Sequence, residues 1–341
     1  MIAAVARRVG RRLVASLPAL FGVVCITFVL MRVLPGDPAV FFASGPSAGK
    51  AEIEQLRHTM GLDRPVPVQL AIYLKDIASG DLGRSMTTGQ PVAKDIANRL
   101  PASLELTFCA LFIALLVSVP LGVLAALRPG SAVDHAVRLL CTAGVCVPTF
   151  VSGLLLIYVF YYLLGWAPDP TARIDIFAAA PPAITGFYLV DFALVRDWEG
   201  WMAAFSQLVL PAITMAMFVL APLARMTRGS MLAVLGSDFI RTAQAMGLPR
   251  WRIIGAYALR NALLPVLTIT GIVFSTMLGA NVLVEKVFSW PGVASYALDA
   301  LLASDYAPVQ AFVLLMASIF VVVNVVIDVL YGIVDPRVSV E

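Results

Sequence analysis

Six stretches of the chain are apolar enough, over enough residues, to cross a hydrocarbon core about 30 Å thick. They cover residues 13–34, 102–127, 137–164, 208–223, 263–283 and 309–329. This pattern predicts an all-α membrane protein of about six transmembrane helices. Residues 187–195 form a further apolar patch, but it is short and contains Asp191, so it reads as an external or interfacial helix. Pro120, Pro148, Pro211 and Pro222 fall within the apolar stretches. Each is expected to kink its helix and free a backbone carbonyl, which a neighbouring helix or a cavity must then satisfy.

The polar interruptions carry the rest of the pattern. After the first span, Pro35-Gly36-Asp37-Pro38 stops the helix, since neither proline continues it and Gly36 permits a turn. The loop that follows runs to about residue 100 and has amphipathic pieces at 52–60, 68–78 and 92–100. It is expected to be a small folded domain outside the membrane. Between the fourth and fifth spans, residues 237–265 punctuate a helix explicitly. Ser237 can cap it, Asp238 suits the positive end of its dipole, and Gly247 with Pro249 ends it. Phe239, Ala243 and Met246 share one face, while Asp238, Arg241 and Gln244 lie elsewhere. So short a helix is marginal alone and needs something to lie against. A second amphipathic piece at 250–259 carries Arg250 and Arg252, with Arg260 just beyond. The expected organisation is therefore a first span over residues 1–34 and an external domain over 35–100. A helical membrane core over 101–341 follows, with a docking loop at 229–262.

Composition and charge narrow the class and the orientation. Only 13% of the residues are charged and 60% are hydrophobic, with mean hydropathy +0.90. Soluble domains carry about 25% charged residues, so most of this chain faces lipid or other helices. A net charge of +3, dispersed along the chain, excludes a nucleic-acid-binding role. The segments assigned to the inner side hold Arg7, Arg8, Arg11, Arg12, Arg128, Arg138, Arg225, Arg228, Arg241, Arg250, Arg252, Arg260 and Arg337. The short outer loops hold Arg173, Arg196 and Lys286. The long first loop is exempt from this comparison. Both termini and the docking loop are thus expected on the cytoplasmic side. The basic start followed by an apolar run also fits a signal peptide. The run is about twenty residues long, however, and no small-x-small site precedes Pro35, so an uncleaved span is expected.

Candidate catalytic chemistry is sparse. Cys25, Cys109, Cys141 and Cys146 lie in apolar spans and read as packing residues. His58 and His135 lie in loops, so no metal site is expected. Gly45-Pro46-Ser47-Ala48-Gly49-Lys50-Ala51 has too few residues between its glycines for a phosphate loop and no Ser or Thr after Lys50. A membrane-embedded hydrolase needs a nucleophile and a base at membrane depth, and neither histidine is in a span. A passive channel gives no reason for a capped docking helix.

Polar groups inside spans are costly and are functional suspects. Asn281 and Glu285 lie one turn apart near the end of the fifth span, and Asn324 and Asp328 repeat that spacing in the sixth. Asn281, Glu285 and Ser275 are candidates for a translocation path, with Thr276 weaker. Glu285 serves equally well as a solvated helix end or a partner of Lys286. Asp328 reads first as a structural group, for instance opposite Arg337. Arg32 and Glu105, near the outer ends of the first two spans, are a candidate ion pair.

Several of these residues also carry a resemblance. Asp238-Phe239-Ile240-Arg241-Thr242-Ala243, then Ala245, Gly247-Leu248 and Leu259-Arg260-Asn261-Ala262-Leu263-Leu264-Pro265, resemble the coupling loop of ABC-importer permeases. The general motif begins Glu-Ala-Ala. Arg241-Thr242-Ala243 in its place, with the long spacing from Gly247 to Pro265, matches the dipeptide/oligopeptide/nickel branch and not the sugar branch. Gly61-Leu62-Asp63, Pro65, Gln69, Tyr73, Gly80-Asp81-Leu82-Gly83 and Ser85 are similar to that branch as well. So are Glu285, Phe288-Ser289-Trp290-Pro291-Gly292, Asp299-Ala300, Asp305-Tyr306, Asn324, Asp328, Leu330-Tyr331-Gly332 and Asp335-Pro336-Arg337. Thr185-Gly186-Phe187 with Asp191 is similar to the dipeptide subgroup, and the whole is similar to its B-type member.

The resemblance implies the architecture of a type I ABC importer permease in the inner membrane of a bacterium. It also implies a homologous C-type permease beside this chain, two ATPase subunits that hold ATP and Mg, and a soluble extracytoplasmic binding protein. This chain itself would hold no cofactor and catalyse nothing. Asp238, Phe239, Arg241, Thr242, Ala243, Ala245, Gly247 and Leu248 would couple it to an ATPase. The external domain, with Asp63 and Asp81 among its charges, would dock the binding protein, or merely brace the helices. Dipeptides or short peptides lead as substrates, while nickel complexes, glutathione and haem are carried by related importers.

Overall fold

The computed structural model describes residues 2–33, 39–40, 49–59, 61–175 and 178–334. Among them the regular structure is helical throughout, with a lone β-bridge between Arg84 and Pro91. The main helices are α1 (Ile2–Val33), α2 (Lys50–Thr59), α3 (Val66–Ala78), α4 (Val92–Leu127), α5 (Ala132–Cys146) and α6 (Thr149–Leu163). They continue as α7 (Tyr188–Val195), α8 (Trp198–Leu235), α9 (Asp238–Ala245), α10 (Arg250–Val287), α11 (Val293–Leu302) and α12 (Tyr306–Val334). Within α6 and α10, Ile157–Leu163 and Ile253–Leu259 take the wider π form.

Among the described residues five helices are long and apolar enough to cross a membrane, and a sixth span is reached if α5 and α6 count together. This bears out the all-α membrane reading but changes its outline. The third span, read as one run over 137–164, is broken by a 99° bend between α5 and α6. The break falls at Val147 and Pro148. Val147 is extended at φ −92°, ψ 124°, as a residue before proline must be when the proline ring crowds its helical conformation. The other expected kink sites, Pro120, Pro211 and Pro222, lie inside helices that run on past them.

The remaining spans are longer than their apolar cores. The fourth, read over 208–223, is the middle of α8, which has 38 residues. At 1.5 Å per residue such a helix is roughly 57 Å long, well beyond the hydrocarbon thickness. Its polar ends hide it from hydropathy but do not stop a helix, because Asp197 caps it by accepting from the Gly200 N–H at 3.0 Å. Likewise the 92–100 piece is the opening of α4, and the 250–259 piece is continuous with the fifth span in α10. The patch at 187–195 is the short helix α7. The proposed helix stop at residues 35–38 and the glycine-rich stretch at 45–48 lie outside the described residues.

The chain divides into two compact units, Met1–Pro101 with Pro291–Val322, and Ala102–Trp290 with Val323–Glu341. In the first, Val92 and Ile96 of α4 pack on Val293 and Tyr296 of α11 and Ala311 of α12. The adjoining loop is pinned by buried carboxylates. Asp305 accepts from the Ser85 hydroxyl at 2.7 Å and the Thr87 N–H at 3.1 Å, and Asp95 accepts from Thr88 at 2.6 Å and the Tyr296 hydroxyl at 3.0 Å. Burial first, and the acceptor role of Asp95 with it, push the Tyr296 phenol up to about 12, so it stays a donor.

In the second unit α4, α8 and α10 form the core. Leu106, Ala110 and Ala114 meet Leu208, Ala212, Met215 and Val219, with Val273, Met277 and Val284 from α10. Small residues set the closest approaches, as helix pairs in lipid require. A β-carbon added at Gly122 would meet Thr227 Cβ at 2.6 Å and the Ala224 carbonyl at 2.8 Å, and one at Gly271 would collide with Ile327.

Candidate functional site

The proposed docking loop begins where α8 ends. Ser237 takes the N-cap position of α9 in extended geometry, φ −78°, ψ 155°. The expected side-chain cap is not made, because the Ser237 hydroxyl donates back to the Val234 carbonyl at 2.5 Å. Asp238 occupies the first turn and faces Arg241 at 3.2 Å. Both side chains are exposed, so this pair contributes less than about 1 kcal/mol. The Thr242 hydroxyl returns to the Asp238 carbonyl at 3.0 Å.

The buried face of α9 differs from the expected one. Ile240 and Ala243 are buried, and they pack with Ala126 of α4, Met231 of α8, and Ile253, Ala258 and Ala262 of α10. Phe239 stays 45% exposed and Met246 66% exposed. Phe239, Ala243 and Met246 therefore do not act as one face. Apolar residues occur around more of this short helix than a single contact needs. Spacing alone cannot tell which of them cover the chain's own core. The exposed set continues into Trp251, 76% exposed at the start of α10 and flanked by exposed Arg250 and Arg252.

The far end of α9 closes as the sequence indicates. Gly247 has φ +74°, its N–H bonds the Gln244 carbonyl at 2.9 Å, and the Leu248 N–H bonds the Ala243 carbonyl at 3.3 Å. Leu248 folds back onto the apolar cluster, giving the hydrophobic contact that accompanies such left-handed caps. No heavy atom lies within 4 Å of a β-carbon built at Gly247, so a larger residue there is opposed by backbone strain alone. Ala245 is exposed.

The translocation-path candidates are differently placed. Asn281 and Glu285 are fully buried within this chain. Glu285 accepts from the Ser103 hydroxyl at 2.6 Å, and the Asn281 amide donates to Thr107 Oγ1 at 2.9 Å. They join α10 to α4, and Trp290 Nε1 adds a bond to the Ala102 carbonyl at 2.9 Å. Asn281 Oδ1 has no hydrogen-bond partner among the described residues. Ser275 is half-buried and donates to the Gly271 carbonyl at 3.1 Å, and exposed Thr276 donates to Val273 at 2.8 Å. Asn324 is half-buried in α12. The Asp328 side chain and residues 335–337 lie outside the described residues.

Between Ser103 and Thr107 on α4 stands Glu105, whose partner differs from the expected one. Glu105 is buried against Arg173, and it also accepts from the Leu189 N–H at 2.8 Å. The Arg173 guanidinium lies 3.6 Å from the Tyr188 ring centroid and donates to the Gly186 carbonyl at 2.9 Å. Asp191 closes the same loop by accepting from the Thr185 N–H at 2.8 Å, its hydroxyl at 2.7 Å and the Gly186 N–H at 3.0 Å. Burial pushes its carboxyl up, but these bonds together hold it below the usual range. The expected Arg32–Glu105 pair thus gives way to separate partners, since Arg32 donates to Gln69 Oε1 at 2.9 Å. Arg173 was legible only as a charge in a short loop, and loop closure is what brings it to Glu105.

Asp63 and Asp81 are both exposed. Asp63 faces His58 at 3.7 Å, and Asp81 accepts from the Gly83 N–H at 2.8 Å. Gly80 and Gly83 flank it at φ +83° and +80°, so the turn depends on glycine there. Among the described residues, no three His, Cys, Asp or Glu side chains converge as metal ligands would.

Comparison with known proteins gives this geometry its context. The profile described as "Binding-protein-dependent transport system inner membrane component" matches residues 118–340, and its N-terminal companion matches residues 5–107. A probable D,D-dipeptide transport system permease of Escherichia coli K12 is 41% identical over 318 residues, 93% of each chain. A di/tripeptide transport system permease of Pseudomonas aeruginosa UCBPP-PA14 is 40% identical over 330 residues, covering 97% of this chain and 98% of the relative. A dipeptide transport system permease of Escherichia coli K12 is 40% identical over 331 residues, 96% and 97% of the two chains. Together, the helical membrane fold and matches that span nearly its whole length place the chain in the family of binding-protein-dependent transport system inner membrane components.

Proposed function

We propose that the chain is the B-type translocation subunit of an ATP-driven importer of dipeptides or short peptides. Its partners in this reading are a homologous C-type permease, two ATPase subunits that hold ATP and Mg, and a soluble substrate-binding protein. Support for the substrate class comes from relatives named for dipeptide and di/tripeptide transport that align from end to end. The observation that carries the mechanism is α9. It is backed onto the core by Ile240 and Ala243 while Phe239, Arg241, Met246 and the nearby Trp251 remain exposed.

That arrangement suits a lever. An ATPase holding the exposed side of α9 would push on Ile240 and Ala243, and through them on α4, α8 and α10 at once. Rigid-body motion of packed helices is a recurrent way to open and close a transport path. In this reading Asp238, Phe239, Arg241, Thr242, Ala245 and Gly247 form or shape the contact, and Ala243 and Leu248 seat it. The basic residues around the loop support a cytoplasmic position for it and for both termini. Residues 35–100 then lie outside, where Asp63 and Asp81 are available to a binding protein. Asn281 and Glu285 shape the path by fixing α10 against α4, rather than by touching peptide in this conformation. Ser275, half-buried on the same helix, remains the candidate for contact.

The test is uptake of a labelled dipeptide into vesicles containing the chain with its partner permease and ATPases. Uptake is expected only when both ATP and the binding protein are supplied. Reporter fusions should read cytoplasmic near Gly247 and external near Gly80. Dipeptide-independent ATPase stimulation with no uptake would refute the peptide assignment, and an external reading at Gly247 would refute the orientation.

A further inference from the structure

We propose that the pocket beside the end of α1 holds the head group of a zwitterionic, amine-bearing phospholipid, with its phosphate on Arg32 and Arg64 and its ammonium on Asp76. The pocket has a volume of about 330 Å³ and is lined by Phe28, Arg32, Arg64, Gln69, Tyr73 and Asp76, among others. It lies wholly within the first compact unit.

The starting point is an unanswered charge. Arg32 is only partly exposed, yet among the described residues no carboxylate pairs with it. Its Nε donates to Gln69 Oε1 at 2.9 Å, and its Nη1 is shut off from water without a partner among the described residues. A desolvated cation without a counter-ion is expensive at the edge of a membrane. The guanidinium is also held in place. It lies 4.6 Å from the Phe28 ring centroid and 5.6 Å from that of Tyr306. Gln69 is fixed in turn through donation to the Leu62 and Arg64 carbonyls at 3.3 and 2.8 Å. An oriented guanidinium beside an open pocket suits a phosphate.

Position selects a lipid over a soluble anion. Arg32 is one residue from the end of the span Gly10–Val33, at the depth where head groups lie. Ile26, Val29, Leu30 and Val33 are exposed on the same last turns of α1, where acyl chains would run. The second charge selects the head group. Asp76, on α3, lines the same pocket and makes no ion pair with Arg32 or Arg64. A carboxylate repels an anionic lipid and a quaternary amine cannot donate to it, whereas a primary ammonium can.

The test uses the full-length chain in detergent, stripped of endogenous lipid and titrated with phosphatidylethanolamine, phosphatidylglycerol or phosphatidylcholine under native mass spectrometry. One phosphatidylethanolamine should bind at least about tenfold more tightly than either other lipid, as expected for one added charged hydrogen bond. Arg32→Gln should weaken it by a similar factor. Asp76→Asn, which removes no side-chain hydrogen bond or ion pair among the described residues, should abolish the preference over phosphatidylglycerol while leaving thermal stability unchanged. If Arg32→Gln fails to fold, the Asp76→Asn selectivity still decides the matter. Equal binding of all three lipids by the parent, or an unchanged preference in Asp76→Asn, overturns the proposal. So does full competition by free phosphoethanolamine or by a dipeptide at lipid-like concentrations, because the pocket would then serve a soluble ligand.

Discussion

Two regions of the second unit handle polar and charged residues in opposite ways. At the junction of α4, α10 and the loop before α7, Glu105, Arg173, Asn281 and Glu285 are buried and bonded to one another's helices or to backbone. At α9 the charges of Asp238 and Arg241 are exposed, and only Ile240 and Ala243 anchor the helix. The first region uses polarity to fix helices in a medium without water, where unmet groups are costly. The second leaves polarity and apolar surface unused inside the chain, which is what a site for another protein looks like before the partner arrives.

The sharpest way to break this contrast is at the buried end. Arg173→Ala should leave Glu105 buried and unpaired, costing about 3–5 kcal/mol. A large fall in the thermal midpoint of the detergent-solubilised chain would show it. Replacing both partners, with Glu105→Leu and Arg173→Met, should recover most of that loss, because the charge and its orphan disappear together. A double variant as unstable as the single one would mean that the pair is not what holds this loop.

Adjacent residues of α9 should then behave unlike each other. Ile240→Asp puts a charge into the apolar cluster and should destabilise the chain by several kcal/mol. Phe239→Asp places its charge outside and should leave the thermal midpoint within a degree or two of the parent, while ATPase subunits are lost on purification. If both variants destabilise the chain equally, Phe239 belongs to the core and not to a contact. Gly247→Val should be milder. The cost of a β-branched residue at positive φ is on the order of 1–2 kcal/mol, confined to the end of α9. The complex is expected to assemble but take up dipeptide several-fold more slowly.

Smallest is the effect of pH on the loop closed by Asp191. Its folded carboxyl is held below the usual range, so the stability it contributes is present above the unfolded value, near pH 4, and is lost as pH falls through the folded value. Asp191→Asn should remove that part of the acid sensitivity below about pH 4. An unchanged acid-denaturation profile would count against the hydrogen-bonded loop.

The contrast also explains what the sequence could reveal. Spans are legible because lipid imposes one simple requirement, a long apolar run, and the ends of α9 are legible because Gly247 and Pro249 act locally. Span lengths were not, since the polar ends of α8 and α10 are as helical as their centres. Nor was the break at Val147–Pro148 separable in advance from Pro211 or Pro222, which stay inside a helix; neighbours decide whether the freed carbonyl is tolerated. The roles of Asn281 and Glu285 were open because an intramembrane polar residue looks the same in sequence whether it faces a path or a serine on the next helix. Ser103 and Thr107 supply that answer, and only packing brings them opposite. For α9 the ambiguity was which apolar side chains face inward, and Ile240 resolves it.

The central claim, an open docking helix beside a closed polar junction, is tested most directly by water accessibility. In a chain whose four native cysteines are replaced, Phe239→Cys and Glu285→Cys are each labelled with a membrane-impermeant maleimide in inside-out vesicles, with and without ATPase subunits. Residue 239 should label readily without the ATPases and become protected when they bind, while residue 285 stays unlabelled in both states. Equal labelling of residue 239 in the two conditions, or ready labelling of residue 285, would contradict the account.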